Sequence, residues 1–220
     1  MSRLYSTAHR ELQDRFDSRR LADKIEQIAV HTEVSDGDKA FIESRDMFWL
    51  ASVDPEGRPT VSYKGGEPGF VRVLDSRTLA FPIFDGNGMF YSVGNIAASH
   101  QIGMLFMDLE RPNRLRLQGV ASVNPDDPLR AHFREAQLVV RVAVTELWPN
   151  CPRYVHRFQK LETSKYVPRA ECATPLAGWK RIDLIQDDLP AQDRGRAEKE
   201  GGLLTIEQWF GHVADGSREA

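Results

Sequence analysis

The stretch that decides the fold is Met47-Phe48-Trp49-Leu50-Ala51-Ser52-Val53-Asp54-Pro55-Glu56-Gly57-Arg58-Pro59-Thr60-Val61-Ser62-Tyr63-Lys64-Gly65-Gly66. Met47 to Val53 is mostly apolar and ends in the turn residues Asp54-Pro55-Glu56-Gly57, so it reads as a buried strand. Thr60 to Lys64 then alternates polar and apolar until two glycines break the pattern. In a strand, Thr60, Ser62 and Lys64 share one face, and Val61 and Tyr63 share the other.

Downstream, the same grammar continues. Phe70 to Leu74 and Thr78 to Phe84 read as strands separated by Asp75-Ser76-Arg77, and Asp85-Gly86-Asn87-Gly88 is a turn. Met89, Val93, Ile96 and His100 recur at helical spacing, which predicts a helix over Met89 to Ser99. Ile102 to Met107, Leu115 to Val123 and Leu138 to Leu147 return to strand. About six strands with short turns and a single helix predict a mainly β fold, an antiparallel split barrel with flanking helices. A doubly wound parallel sheet would need a helix after nearly every strand, and those helices are missing.

Upstream, Leu12, Phe16, Leu21, Ile25 and Ile28 recur among charges at near-helical spacing. Ser35 followed by Asp38 is an N-cap pattern for a second short helix. Residues 1–46 are therefore expected to form a helical segment packing on a barrel of residues 47–150. Residues 151–220 are expected to hold a helix opened by Pro152, with Tyr154, Val155 and Phe158 as its apolar residues, then an extended tail in which Leu203 to Phe210 forms a little more helix.

Composition excludes several classes. The 220 residues carry a net charge of −3, with 41% apolar and 28% charged residues, and no dense Lys/Arg stripe marks a nucleic-acid or lipid partner. No apolar run approaches the length of a membrane span, and the polar start lacks the apolar centre of a signal peptide. Cys151 and Cys172 stand apart from any ligand cluster and read as reduced thiols of a cytoplasmic protein. The six histidines are scattered, so no metal site is expected.

Three patches could carry chemistry. Thr60, Ser62 and Lys64 offer two hydroxyls and an ammonium in a row, followed by glycines that allow close approach of a ligand, a pattern that also fits a solvent-facing strand ending in a glycine turn. Ser92 and Asn95 are neighbours on the surface of the central helix, with Asn87 near its start, where free N–H groups suit a phosphate. Arg114, Arg116 and Gln118 share one face of a strand, which fits an anion or an exposed edge. Pro82 removes a ladder donor and so belongs on an edge or beside a ligand. Cys151 reads either as a small buried cysteine or as a thiol activated by the Pro152 helix.

Taken together, the chain resembles the pyridoxamine 5'-phosphate oxidase-related family of FMN-binding split-barrel flavoproteins. The resemblance runs from about Phe41 to Phe158. It rests on Phe48-Trp49-Leu50-Ala51-Ser52-Val53-Asp54 with Gly57 and Pro59, on Ser62-Tyr63-Lys64-Gly65-Gly66, and on Gly69-Phe70-Val71-Arg72-Val73-Leu74-Asp75. It continues through Thr78-Leu79-Ala80-Phe81-Pro82, Gly86-Asn87, Gly94-Asn95-Ile96, Leu105-Phe106 and Leu115-Arg116-Leu117-Gln118-Gly119. Trp148 to Tyr154 is similar to a feature of one branch of that family.

The resemblance implies a homodimer with two FMN molecules at the subunit interface. Thr60, Val61, Ser62, Tyr63 and Lys64 would lie along the flavin, with Lys64 at its phosphate, and Pro82 and Ile83 would offer backbone groups. The oxidase's phosphate-binding Arg-Lys pair falls here on Tyr91 and Ser92, which leaves Asn87, Ser92, Asn95 and Lys64 to hold the phosphate. Arg114 or Arg116 would supply a cation from the second subunit. The oxidase's Arg-x-His substrate motif has no match after Trp179-Lys180-Arg181, so the implied activity is an FMN-dependent oxidoreductase of another small molecule. The alternatives are a non-catalytic flavin-binding or sensing module, or a split barrel that takes a deazaflavin or haem. Tyr154, His156 and Arg157 either flank the substrate or pack on the barrel, and no residue is assigned to catalysis.

Overall fold

A computed structural model describes residues 2–219. The chain divides into two compact units, the first ending at Leu161 and the second starting at Glu162.

The first unit is built on seven antiparallel strands: β1 (Met47–Val53), β2 (Pro59–Gly65), β3 (Arg72–Asp75), β4 (Thr78–Ile83), β5 (Gln101–Asp108), β6 (Asn113–Asn124) and β7 (Leu138–Asn150). They form one sheet in the order β2-β1-β5-β6-β7-β4-β3, and each strand falls on a stretch that the sequence pattern reads as strand. The sheet curls on itself. Phe48 of β1 meets Phe81 of β4 edge-to-face at 5.1 Å although three strands lie between them in the sheet. Phe106 and Phe70 close around the same ring, at 5.3 and 5.7 Å. The core that results holds Leu50, Leu79, Met104, Leu117, Val142 and Leu147, and β2 and β3 remain as the two edges of a split barrel.

Each edge is managed differently. Helix α3 (Asp36–Glu43) covers β3: the Glu43 carboxylate accepts from Val73 N–H at 3.0 Å and the Lys39 ammonium donates to Val73 C=O at 3.1 Å. Such capping removes a row of free backbone groups that would otherwise template aggregation. The expected N-cap of α3 is present, with Asp38 N–H donating to Ser35 Oγ at 3.2 Å. Edge β2 pairs with β1 on one side, and among the described residues no strand pairs with the other.

Two more helices, α1 (Thr7–Arg15) and α2 (Arg19–Ala29), precede α3 and bury no residue. The central helix α4 spans Tyr91–Ser99, two residues shorter at its start than the periodicity predicts. Asn87 Oδ1 accepts from Met89 N–H at 3.1 Å and Phe90 takes a left-handed φ of 48°, so the helix starts only at Tyr91 and leaves Met89 outside.

The helix expected at Pro152 does not form. Strand β7 runs on to Asn150, a turn follows in which Val155 N–H donates to Pro152 C=O at 3.0 Å, and the residues after it are tied to the β5–β6 turn. Phe158 N–H donates to Leu109 C=O at 3.0 Å and Arg157 Nε to Glu110 C=O at 3.0 Å, while Tyr154 has a φ of 68° that no α-helix accepts. Tyr154 is 88% exposed and Phe158 is also exposed, so these aromatics do not pack on the barrel. Cys151 is exposed rather than buried, as is Cys172.

The second unit is more ordered than an extended tail. It contains 3₁₀ turns at Gly178–Arg181 and Asp183–Asp188 and a helix, α5 (Ile206–Ala214), capped by Thr205. Its centre is an ion pair between Lys180 and Asp193, 2.7 Å apart and each 2% exposed. No helix among the described residues is long and apolar enough to cross a membrane, and none of their His, Cys, Asp or Glu side chains group as a metal site.

Candidate functional site

The register of the β1–β2 hairpin settles which face of β2 looks inward. Thr60, Ser62 and Lys64 pair with Ser52, Leu50 and Phe48, all fully buried, so the polar face of β2 lies on the barrel side. Val61 and Tyr63 are on the outside and exposed. The polar face is therefore not a solvated one. It meets α4, where Ser62 Oγ and Ser92 Oγ share a hydrogen bond of 3.1 Å.

Lys64 is half-buried beside this hydroxyl pair, and burial pushes its ammonium below the usual lysine value. No hydrogen bond or ion pair to it is found among the described residues. A cation withdrawn from water without a partner is an unbalanced charge, and an anion is the group that balances it. The adjacent end of α4 adds further donors. Its N-cap is Phe90, whose side chain accepts nothing, so the first N–H groups of the helix have no side-chain cap. Two hydroxyls, one ammonium and uncapped helical N–H groups form a donor set suited to a phosphate monoester.

Not every residue expected at the phosphate joins this set. Asn95 is buried and its Nδ2 donates to Ser52 Oγ at 3.2 Å, which fastens α4 to β1. Ser99 Oγ completes that seam by donating to Val53 C=O at 2.6 Å. Asn87 is exposed and its amide serves the Met89 turn. Ser52 was missed from the sequence because it sits in an apolar run; its only signal is that a hydroxyl there needs a partner. Pro82 and Ile83 are buried at the end of β4. There β4 has outrun β3, whose pairing stops at Ala80, so Pro82 sits where one side of the strand has no ladder to lose. Ile83 C=O accepts from Gln137 N–H at 2.8 Å.

The arginines of β6 lie on the other side of the wall. Leu115 and Leu117 point into the core, so Arg114, Arg116 and Gln118 point outward. Cross-strand pairing makes one row of Tyr63, Trp49, Leu105, Arg116 and Trp148 on that outer face. Lys64 belongs to the inner row, with Phe48, Phe106, Leu115 and Pro149. Three strand spacings separate β2 from β6, about 14 Å along the sheet. Arg116 and Lys64 of one chain thus face opposite ways. Arg114 Nε donates to Cys151 C=O at 3.1 Å, whereas no hydrogen bond or ion pair of Arg116 is found among the described residues. Cys151 Sγ accepts from Arg153 N–H at 3.4 Å, and that bond, with Arg153 and Arg114 nearby, holds its thiol below the usual cysteine value.

The comparisons with known proteins concern the same part of the chain. The family model for pyridoxamine 5'-phosphate oxidase matches residues 34–156. Among solved structures, HupZ of Group A Streptococcus is similar at 18% identity and a TM-score of 0.43, over 57% of this chain and 99% of that one. The heme storage protein HutZ of Vibrio cholerae aligns at 19% identity and a TM-score of 0.39, over 52% of this chain and 93% of its own. An FMN-binding protein of Syntrophomonas wolfei aligns at 8% identity and a TM-score of 0.41, over 64% and 97%. No curated protein matches. The segment matched by the family model is more than half of the chain and contains every strand of the barrel, and on that ground the chain belongs to the pyridoxamine 5'-phosphate oxidase family.

Proposed function

We propose that this protein binds a flavin, FMN in particular, in a site shared by the two subunits of a homodimer, and that it is an oxidoreductase acting on a small organic molecule. The observation that carries the reading is Lys64, a half-buried ammonium beside the Ser62–Ser92 hydroxyl pair with no anion of its own among the described residues. Lys64, Ser62, Ser92 and the first N–H groups of α4 would hold the phosphate. The unpaired edge of β2, from Thr60 to Lys64, offers alternating backbone donors and acceptors to the polar rim of a flat ring. Pro82 and Ile83 would bound the site from β4, and Asn95 would position α4 through Ser52. A bound isoalloxazine ring supplies electron transfer; the protein's part is to bind it, orient it and set the charge around it. Arg116 is the cation that a second copy would bring, because it faces away from its own chain's Lys64.

Purified full-length protein should be yellow and should release FMN on denaturation, identified by its mass. A colourless protein that takes up no FMN in a fluorescence titration overturns the flavin reading. A Soret band assigns the site to haem instead, and a released deazaflavin is told from FMN by mass. Anaerobic reduction by NADH or NADPH followed by reoxidation with candidate acceptors tests catalysis, and failure with every donor leaves a binding module.

A further inference from the structure

Helices α1 and α2 have 9 and 11 residues, shorter than isolated helices that hold in water. Polar groups link the pair: Arg10 Nη1 lies 2.6 Å from Asp23 Oδ1, Arg19 Nε lies 2.5 Å from Asp14 Oδ1, and Tyr5 Oη donates to Ala22 C=O at 3.3 Å. The larger apolar residues stay largely in the open. Leu12 and Phe16 follow one another at i,i+4, and Leu21, Ile25 and Ile28 recur at i,i+4,i+7, and all five are exposed, Phe16 by 72% and Ile28 by 70%. Such stripes on short helices mark surfaces that something else covers.

Where the hairpin is anchored says what covers it. The Glu26 carboxylate of α2 accepts from Ser2 Oγ at 3.0 Å and from Arg3 N–H at 2.6 Å. The Arg3 guanidinium in turn reaches Glu146 Oε1 at 3.4 Å. Glu146 pairs with Gln118 on the outer face of the sheet, two residues along β6 from Arg116. Just past α2, His31 and Leu147 exchange backbone hydrogen bonds of 3.0 and 2.9 Å. The hairpin therefore stands at the margin of the face that carries Arg116.

We infer that this hairpin is the docking arm of the homodimer, its apolar stripes seated on a second copy of the chain. The inference rests on the shared-site reading, which brings a second copy to the outer face. Area argues for the same occupant. A stable interface covers about 800 Å² per partner, and the outer face exposes few large apolar side chains, Val61, Tyr63 and Val120 among them. The five hairpin residues add on the order of 300 Å² of apolar surface at the same margin. In a two-fold dimer each copy gives one arm and receives one, so every contribution counts twice.

Sedimentation equilibrium of the full-length protein tests this with Phe16→Glu, Ile25→Glu and the milder Ile28→Ser on the arm, and Val120→Glu on the sheet face. The arm residues are exposed, so far-UV circular dichroism should not change. Each arm charge should raise the dimer dissociation constant at least about tenfold. Arm variants that dimerise like the parent overturn the inference. If Val120→Glu separates the subunits and no arm variant does, the second copy covers the sheet alone; the shared site then stands and the arm does not. A parent protein that is monomeric and still takes up FMN overturns the shared site itself. Co-sedimentation with phosphatidylglycerol vesicles that Phe16→Glu abolishes, with the dimer constant unmoved, gives the stripes to a lipid surface and also overturns the inference.

Discussion

Ser62 Oγ on β2 and Ser92 Oγ on α4 lie 3.1 Å apart across 30 residues of sequence, and this contact brings the start of the helix to the strand that carries Lys64. If the pair serves a phosphate, the two residues contribute unequally. Lys64→Ala removes a charge-assisted contact, typically about 1.5–3 kcal/mol, and should weaken FMN binding on the order of 10- to 150-fold. Ser92→Ala removes a neutral hydrogen bond of about 1 kcal/mol and should cost several-fold. Fluorescence titration of the apoprotein measures both, and equal affinities for Lys64→Ala and the parent would remove Lys64 from the site.

The buried ammonium also predicts a pH dependence. Burial lowers the folded-state value of Lys64, so the unfolded chain holds that proton more tightly than the folded one. Stability of the apoprotein should therefore rise with pH across the window between the lowered value and the ordinary lysine value of about 10.4. Lys64→Met should flatten that segment of the stability profile in urea denaturation. FMN binding should run the opposite way and weaken as pH climbs into the same window, because the phosphate is attracted only to the charged form.

Opposite placement of Lys64 and Arg116 on the sheet gives a complementation test. Lys64→Ala and Arg116→Ala should each release flavin as homodimers. If the site is shared as proposed, a heterodimer of the two variants contains one doubly altered site and one intact site. Co-expressed chains carrying different affinity tags should recover about half of the parental FMN content, all of it at parental affinity. Recovery of none would place both residues in one chain's site.

At the β6–β7 bulge, Gly119 is a position where a side chain has no room. A Cβ there would lie 2.6 Å from Val142 Cγ1 and 2.7 Å from the Ala143 carbonyl oxygen, and backbone does not yield as a flexible side chain does. Gly119→Ala should cost about 1–3 kcal/mol, the usual penalty of overpacking. Chemical denaturation would show this as an earlier midpoint with an unchanged slope.

In the second unit the Lys180–Asp193 pair is buried on both sides. Asp193→Asn removes the carboxylate that balances the buried Lys180 ammonium and should cost about 3–5 kcal/mol, whereas replacing both partners by apolar residues should cost much less. Limited proteolysis is the readout. Cleavage should appear between residues 162 and 219 in the single variant while the barrel stays protected.

How far the residues could be read depended on the range of the interactions involved. The Ser35–Asp38 cap and the Asp54-Pro55-Glu56-Gly57 turn are local, and both stand where the pattern puts them. In that turn the Asp54 carboxylate accepts from the N–H groups of Glu56 and Arg58. Pro152 looked like a helix start by the same local logic. It failed because Leu109 and Glu110, more than forty residues earlier, capture the backbone and side-chain donors of Phe158 and Arg157. Asn95 had the right spacing for a surface pair with Ser92, but Ser52 draws it inside.

By itself the sequence determined that residues 47–150 form an antiparallel barrel, because the strand period and the turn residues are local properties of the chain. It also determined that β2 has one polar and one apolar face. Only the tertiary structure decided which face is covered. The β1 register turns Thr60, Ser62 and Lys64 toward buried Ser52, Leu50 and Phe48, and leaves Val61 and Tyr63 outside. It likewise set Lys64 and Arg116 on opposite sides of one wall. A period of two names two faces without saying what lies against either, since that depends on strands distant in sequence.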